Sequence, residues 1–225
     1  SVAGGNSVLP PWVRHQFPAV GQLIAELRDR PCDDPGCTYC RTTHDPRREL
    51  KRYFGFDDFR YEAEGRSMQH DIVLAGTRSE PVLAVLATGG GKSICYQLPA
   101  LNRYHRNGSL TVIISPLQSL MKDQVDGLLA RNVQCAAALN GLLTMPERAD
   151  VLEKIQLGDV GMLLVSPEQF RNNAFRKAIA NRQIGAWIFD EAHCLSKWAT
   201  ISDRTTFTRR VSSVSSPARV SSPRS

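Results

Sequence analysis

Val82-Leu83-Ala84-Val85-Leu86-Ala87-Thr88-Gly89-Gly90-Gly91-Lys92-Ser93 is the stretch on which the fold turns. Val82–Leu86 is an aliphatic run of strand length, and the residues from Lys92 to Leu101 follow a helical pattern. Between them lies a turn that begins at Ala87-Thr88 and contains three consecutive glycines. Gly89, Gly90 and Gly91 let backbone N–H groups approach an anion without Cβ clashes, and the helix N-terminus behind them adds the positive end of its dipole. A triphosphate cradled there has its β- and γ-phosphates within reach of Lys92, and a Mg²⁺ ion within reach of the Ser93 hydroxyl. The strict spacing G-x-x-x-x-G-K-[ST] fails only at its first position, which is Leu86.

Outward from this loop, short apolar runs alternate with helical patterns. Leu110–Ile114, Met162–Val165 and Trp187–Phe189 join Val82–Leu86 as expected buried strands, and Leu117–Arg131 and Pro146–Leu157 join Lys92–Leu101 as expected helices. Such alternation predicts βαβ units and a parallel sheet covered by helices on both faces, an α/β fold. Trp187-Ile188-Phe189-Asp190-Glu191 then sets two acids at a strand's carboxyl end, the edge where open α/β sheets bind ligands. Asp190 is the candidate Mg²⁺ holder and Glu191 the candidate for orienting or deprotonating an attacking water, with Lys92 stabilising the charge on a transferred phosphoryl group. An Asp-Glu pair alone is commonly just solvated. An upstream phosphate loop about 100 residues away gives this one its meaning.

Composition sets the bounds. The chain has 225 residues, 42% of them hydrophobic and 22% charged, enough for a packed core and too apolar for wholesale disorder. No apolar run is long enough to span a bilayer, and the first ten residues lack a secretory signal, so a cytoplasmic location with no membrane partner is expected. The net charge of +6 is concentrated at one end: after Trp198, five arginines face Asp203 alone, which leaves only +2 for the first 198 residues. Residues 1–50 hold a helical stretch, Pro18–Asp29, and then Cys32, Cys37, Cys40 and His44 on a turn-rich segment. These four suit a tetrahedral Zn²⁺ by ligand type, although all four from one short loop is unusual and reduced thiols are the alternative.

GGGKSICYQLPAL, ISPLQSLMKDQV, LLVSPEQF and DEAHCLSKW, in that order, resemble the first RecA-like lobe of RecQ-family ATP-dependent DNA helicases of superfamily 2. The resemblance covers about residues 51–198 and implies a RecA-like lobe that uses ATP and Mg²⁺. The departure at Leu86 matches a variant of the phosphate loop found among helicases. By this likeness Ser115, Pro116, Gln118, Ser119, Lys122 and Gln124 lie where family members touch the backbone of single-stranded or partly duplex DNA. A helix that starts near Leu117 is a fitting place for a phosphate, while a solvated helix face remains the alternative for Lys122 and Gln124. Phe54-Gly55-Phe56 with Phe59-Arg60 resembles the family's adenine-recognition motif, which closes on a glutamine, here Gln69 with Arg66 nearby. Residues 61–68 make that spacing longer than the family's, so an ordinary polar residue opening helix Gln69–Ala75 is the competing reading.

The resemblance breaks after Trp198. The family carries a Gly-His-Asp-Phe-Arg-Pro-type loop there, whereas this chain reads ATISDRTTFT. Codons for those residues, chosen freely at the wobble positions and read with one extra leading G, restore the expected loop. Residues 199–225 are therefore expected to be a disordered alternate-frame tail, with the coupling loop and the second lobe lost to a frameshift. Two functions follow as expectations. One is an ATP-dependent 3′→5′ DNA helicase whose first lobe this is; the other is a truncated nucleotide- and nucleic-acid-binding module without helicase activity.

Overall fold

The computed structural model describes residues 11–17, 19–20, 34, 36–62, 65–87 and 89–191. Apart from Ala19 and Val20, which are helical, the expected helix Pro18–Asp29 lies outside the described residues, as does the tail after Trp198. In chain order come α1 (Pro11–Gln16), α2 (Thr38–Thr43), α3 (Pro46–Phe54), α4 (Met68–Thr77) and α5 (Lys92–Asn107). The sheet region follows: β1 (Leu110–Ile114), α6 (Gln118–Leu129), β2 (Ala136–Leu139), α7 (Met145–Leu157), β3 (Met162–Val165), a 3₁₀ turn (Pro167–Arg171), α8 (Asn173–Ala180) and β4 (Ile184–Phe189).

Local chemistry accounts for most of these boundaries. Asp45 caps α3 by accepting from the Arg47 N–H at 3.0 Å, with Pro46 in the first helical position. Ser67 caps α4 by accepting from the His70 N–H. Thr144 and Glu147 form a reciprocal capping box at the start of α7. α5 runs to Asn107, past Leu101, because Pro99 is absorbed within it; Gly76 of α4 sits so close that a Cβ there would lie 3.0 Å from the proline ring.

All strand pairs are parallel, in the order β2-β3-β1-β4. Alternation along the strands feeds two cores. Ile113, Met162 and Leu164, with Ile188, face α5 and α6 and meet Ala100, Leu101, Met121 and Leu128. Val112, Ile114, Leu163 and Val165, with Trp187 and Phe189, meet Ile155 of α7 and Phe175 and Ala178 of α8. A third cluster, Leu50, Phe59, Val73 and Leu98, ties α3 and α4 to the back of α5. This is the α/β lobe of the RecA-like kind, a parallel sheet with helices on both faces.

One expected strand is absent. Val82–Leu86 makes no ladder and is largely solvent-facing, with Leu83 at 83% and Val85 at 85% exposure. β4 pairs only with β1 among the described residues, and all six of its residues stay half-buried. An aliphatic run becomes a strand only where a neighbouring strand and a covering face receive it, and this run has neither here. In the other direction, β2 was not anticipated, since Ala136-Ala137-Ala138-Leu139 carries almost no β signal.

Candidate nucleotide site

Each strand's carboxyl end points to one edge of the sheet, and the candidate residues collect there. β1 and β4 lie in register, Ile114 opposite Phe189, and the ladder continues one residue further as the Asp190 N–H donates to the Ile114 carbonyl at 3.0 Å. Ser115 leaves β1 beside that position, anchored by its own N–H on the Val165 carbonyl. α5 begins at Lys92 and packs across β1, β3 and β4, which brings the phosphate loop to the same edge.

Electrostatics registers the convergence. Burial raises the Asp190 carboxyl above the ordinary carboxylate range and Glu191 raises it further, while the Lys92 ammonium and the Ser115 hydroxyl hold it down. The Lys92 charge thus reaches the Asp190 carboxyl. Lys92 is exposed and Ser93 half-buried at the start of α5. A carboxylate, a hydroxyl and a water-coordinating acid next in sequence are the oxygen donors a Mg²⁺ ion takes, so the residues present fit that ion.

The glycine loop is held from the α4 side. The buried Gln69 side chain accepts from the Arg60 N–H at 2.9 Å and donates to the Gly90 carbonyl at 2.8 Å. Arg60 donates from its guanidinium to the Gly89 carbonyl at 2.6 Å. Gly91 has φ +72° at the helix N-cap, and a Cβ there would fall 2.3 Å from the Gln69 nitrogen, so only glycine suits the position. Gln69 therefore lies against the phosphate loop, in the first turn of α4. Arg66 instead forms an exposed ion pair with Asp71 at 2.9 Å. The sequence places Arg60 in the Phe59-Arg60 pair of the adenine-motif resemblance but gives no sign of its contact with the phosphate loop. Thr88 lies outside the described residues.

The residues expected at DNA divide into two groups. Ser115 is buried, at 1% exposure, with its hydroxyl bearing on the Asp190 carboxyl. The remainder surround the start of α6: Pro116 half-buried, Ser119 and Lys122 exposed, Gln118 donating to Glu168 at 3.2 Å, and Gln124 accepting from the Tyr96 hydroxyl at 2.8 Å.

The cysteine segment does not gather as a metal site among the described residues, where no three His, Cys, Asp or Glu side chains converge. Cys32 is outside them, and Cys37 and Cys40 are half-buried on or beside α2. His44 is buried, with Arg106 at 2.6 Å from its Nδ1. Burial first, and the guanidinium second, lower its pKa to about 4. Because Arg106 can only donate, His44 accepts through Nδ1 and its proton sits on Nε2, which leaves no lone pair for zinc.

Residues 66–221 match the family described as DEAD/DEAH box helicase. Among curated relatives, the chain is 40% identical over 149 residues to "ATP-dependent DNA helicase RecQ" of Haemophilus influenzae, covering 66% of this chain and 22% of that one. It is also 40% identical over 149 residues to "Probable ATP-dependent DNA helicase RecS" of Bacillus subtilis, covering 66% and 28%. Human "ATP-dependent DNA helicase Q4" is 42% identical over 120 residues, covering 52% and 10%. The chain thus spans between a tenth and about a quarter of the length of these relatives.

Proposed function

Since the chain belongs to the DEAD/DEAH box helicase family, we propose that its lobe binds ATP with Mg²⁺ and serves as the first motor lobe of a RecQ-type DNA helicase. This reading is supported by the start of α5 at Lys92 and the end of β4 beside Asp190 lying at one edge of the sheet, with the Lys92 charge acting on the Asp190 carboxyl. The glycine loop wraps the phosphates, Lys92 neutralises the β- and γ-oxygens, and Asp190 with Ser93 supplies the oxygens for Mg²⁺. A Mg²⁺ ion held there offsets charge on the phosphoryl oxygens as the terminal bond breaks. Glu191, next to Asp190 at the sheet edge, orients the attacking water and accepts its proton. Gln69 reads adenine, and α6 with Lys122 and Gln124 lies along the DNA backbone. Unwinding in the 3′→5′ direction, driven by hydrolysis, belongs to the whole helicase; a single lobe has no partner to close against nucleotide.

The test is equilibrium binding of MgATP to the chain, together with hydrolysis in the presence and absence of single-stranded DNA. Lys92→Ala is expected to weaken MgATP binding at least ~100-fold, by about 3 kcal/mol, since it removes the cation from a multiply charged anion. Equal binding by the unaltered chain and Lys92→Ala would overturn the reading. Binding without any hydrolysis, at every DNA concentration, would favour a nucleotide- and nucleic-acid-binding module over a motor lobe.

A further inference from the structure

A cavity of about 540 Å³ lies at the amino-terminal edge of the sheet, where Cys135 and Asp159 lead into β2 and β3. That is the edge opposite the phosphate loop. Arg52 and Tyr53 reach the cavity from α3, Tyr104 and His105 from the last turn of α5, and Arg131 and Asn132 from the turn between α6 and β2. Tyr104 stands about 18 Å along α5 from Lys92, so the two sites are separate. The volume is within the range of small-molecule sites. One wall is aromatic: Tyr53 and His105 stack with ring centroids 5.6 Å apart, and Tyr104 meets His105 edge-on at 5.4 Å. Two exposed arginines flank that wall. Arg52 lies over the Tyr53 ring at 5.2 Å and has only a loose ion pair, 3.7 Å from Glu49. Arg131 gives one N–H to the Gly127 carbonyl at 2.8 Å, which leaves most of its donor fork. Asp159 is the only carboxylate that lines the cavity, so its charge is net positive. The turn that carries Arg131 is fixed: Asn132 takes φ +61°, which asparagine tolerates, and the Val133 N–H returns to the Leu128 carbonyl at 3.0 Å. His105, Cys135 and Asp159 do not converge as a metal site.

We propose that this cavity binds one nucleoside monophosphate unit, its phosphate held by Arg52 and Arg131 and its base set against the Tyr53, Tyr104 and His105 wall. Each part of that ligand has a matching group. Guanidinium forks suit phosphate oxygens, and arginines from two separate elements grip one anion from two sides. Aromatic rings receive the flat face or the edge of a base whatever its sequence identity. The Asn132 and Gln134 carboxamides each donate and accept, as a base edge requires, and the Asp159 carboxylate accepts from a sugar hydroxyl. The unit lacks the β- and γ-phosphates on which the phosphate loop acts, so the proposal stands apart from the reading of that loop. The same chemistry is offered by a free nucleotide and by one residue of a single strand.

The experiment is equilibrium dialysis of labelled AMP against the full chain, repeated on Lys92→Ala, in which the phosphate loop has lost its cation. Saturable binding with a dissociation constant below ~1 mM is expected, equal in the two proteins. Arg52→Gln and Arg131→Gln, both at exposed positions, should each weaken it about tenfold. Ribose 5-phosphate, which lacks the base, and adenosine, which lacks the phosphate, should each bind at least about tenfold more weakly than AMP. Amide NMR shifts should move at residues 131–135 and at Asp159 and stay in place at 89–93. An oligo-dT strand that displaces AMP shows the unit to be a strand residue, and AMP that stays bound beside the strand shows it to be the free nucleotide. The proposal is overturned by the absence of saturable binding, by shifts confined to 89–93, by loss of binding in Lys92→Ala, or by full affinity in the double arginine variant. Ribose 5-phosphate binding as tightly as AMP overturns it too, because the aromatic wall would then read no base. Should an arginine variant fail to fold, as judged by its thermal melt, the shift map and the ribose 5-phosphate comparison on the unaltered chain decide.

Discussion

Gln69 has two acceptor lone pairs and two N–H donors, and the fold uses one of each at good geometry, on the Arg60 N–H and the Gly90 carbonyl. The amide nitrogen's second contact, to the Gly91 carbonyl, is long at 3.5 Å, so that weakly held nitrogen and one acceptor lone pair are the pair that an adenine edge would take through its N6 amino group and N7. The same amide can therefore brace the phosphate loop and read the base. Gln69→Ala should cost stability by about 1–2 kcal/mol, because the half-buried Gly90 loses the donor to its carbonyl. It should also narrow the preference for ATP over GTP, whereas Lys92→Ala weakens both nucleotides alike; competition binding with the two nucleotides separates these outcomes. An unaltered preference in Gln69→Ala would show that the base is read elsewhere. Sequence alone pointed to Gln69 through the aromatic motif upstream of it. The Arg60 contact with Gly89 spans 29 positions and depends on how α4 packs on α5, which no local pattern encodes.

At the scale of elements, periodicity served wherever packing followed the pattern. β1, with Thr111 its one polar residue, and β3 are buried on both faces, and they stand where the sequence places them. The helix cores of α5, α6 and α7 were equally legible, with ends shifted by a residue or two or, in α5, extended past Leu101 to Asn107. β2 was hidden because alanine signals no strand; its burial against β3 and α6 makes it one. Val82–Leu86 failed for the converse reason, having strand-like residues and no strand to pair with. Hydrogen exchange is the direct measure of this difference. Amides of residues 82–86 should exchange at nearly unprotected rates in the nucleotide-free protein, while those of Val112–Ile114 in β1 should open only with global unfolding. Slow exchange at 82–86 would mean that this run is paired in solution.

Across the whole lobe, the titratable interior sets how stability responds to acid. Burial lowers the pKa of His44, His70 and His105 alike, with Arg106 adding to the effect at His44. An unfolded chain titrates its histidines near 6.5. Below that pH the unfolded state takes up protons that the folded state refuses, so stability is full above about pH 6.5 and declines as pH falls. For His44 the decline continues to its folded value of about 4 and levels off beneath it. A separation of that size corresponds to at most about 3 kcal/mol from this one residue, a large share of a domain's net stability. The cysteine-and-histidine segment, which by ligand type alone looked like a metal site, thus takes on a different role: His44 is a neutral acceptor that fixes Arg106 between α2 and α5. His44→Gln offers Arg106 a carbonyl oxygen and does not titrate. Its urea midpoint should fall less steeply between pH 6.5 and 4.5 than that of the unaltered chain, even if its stability at pH 7.5 is lower. Parallel midpoint curves for the two proteins would place the acid sensitivity in other groups and leave His44 protonated by Arg106's side in the native state.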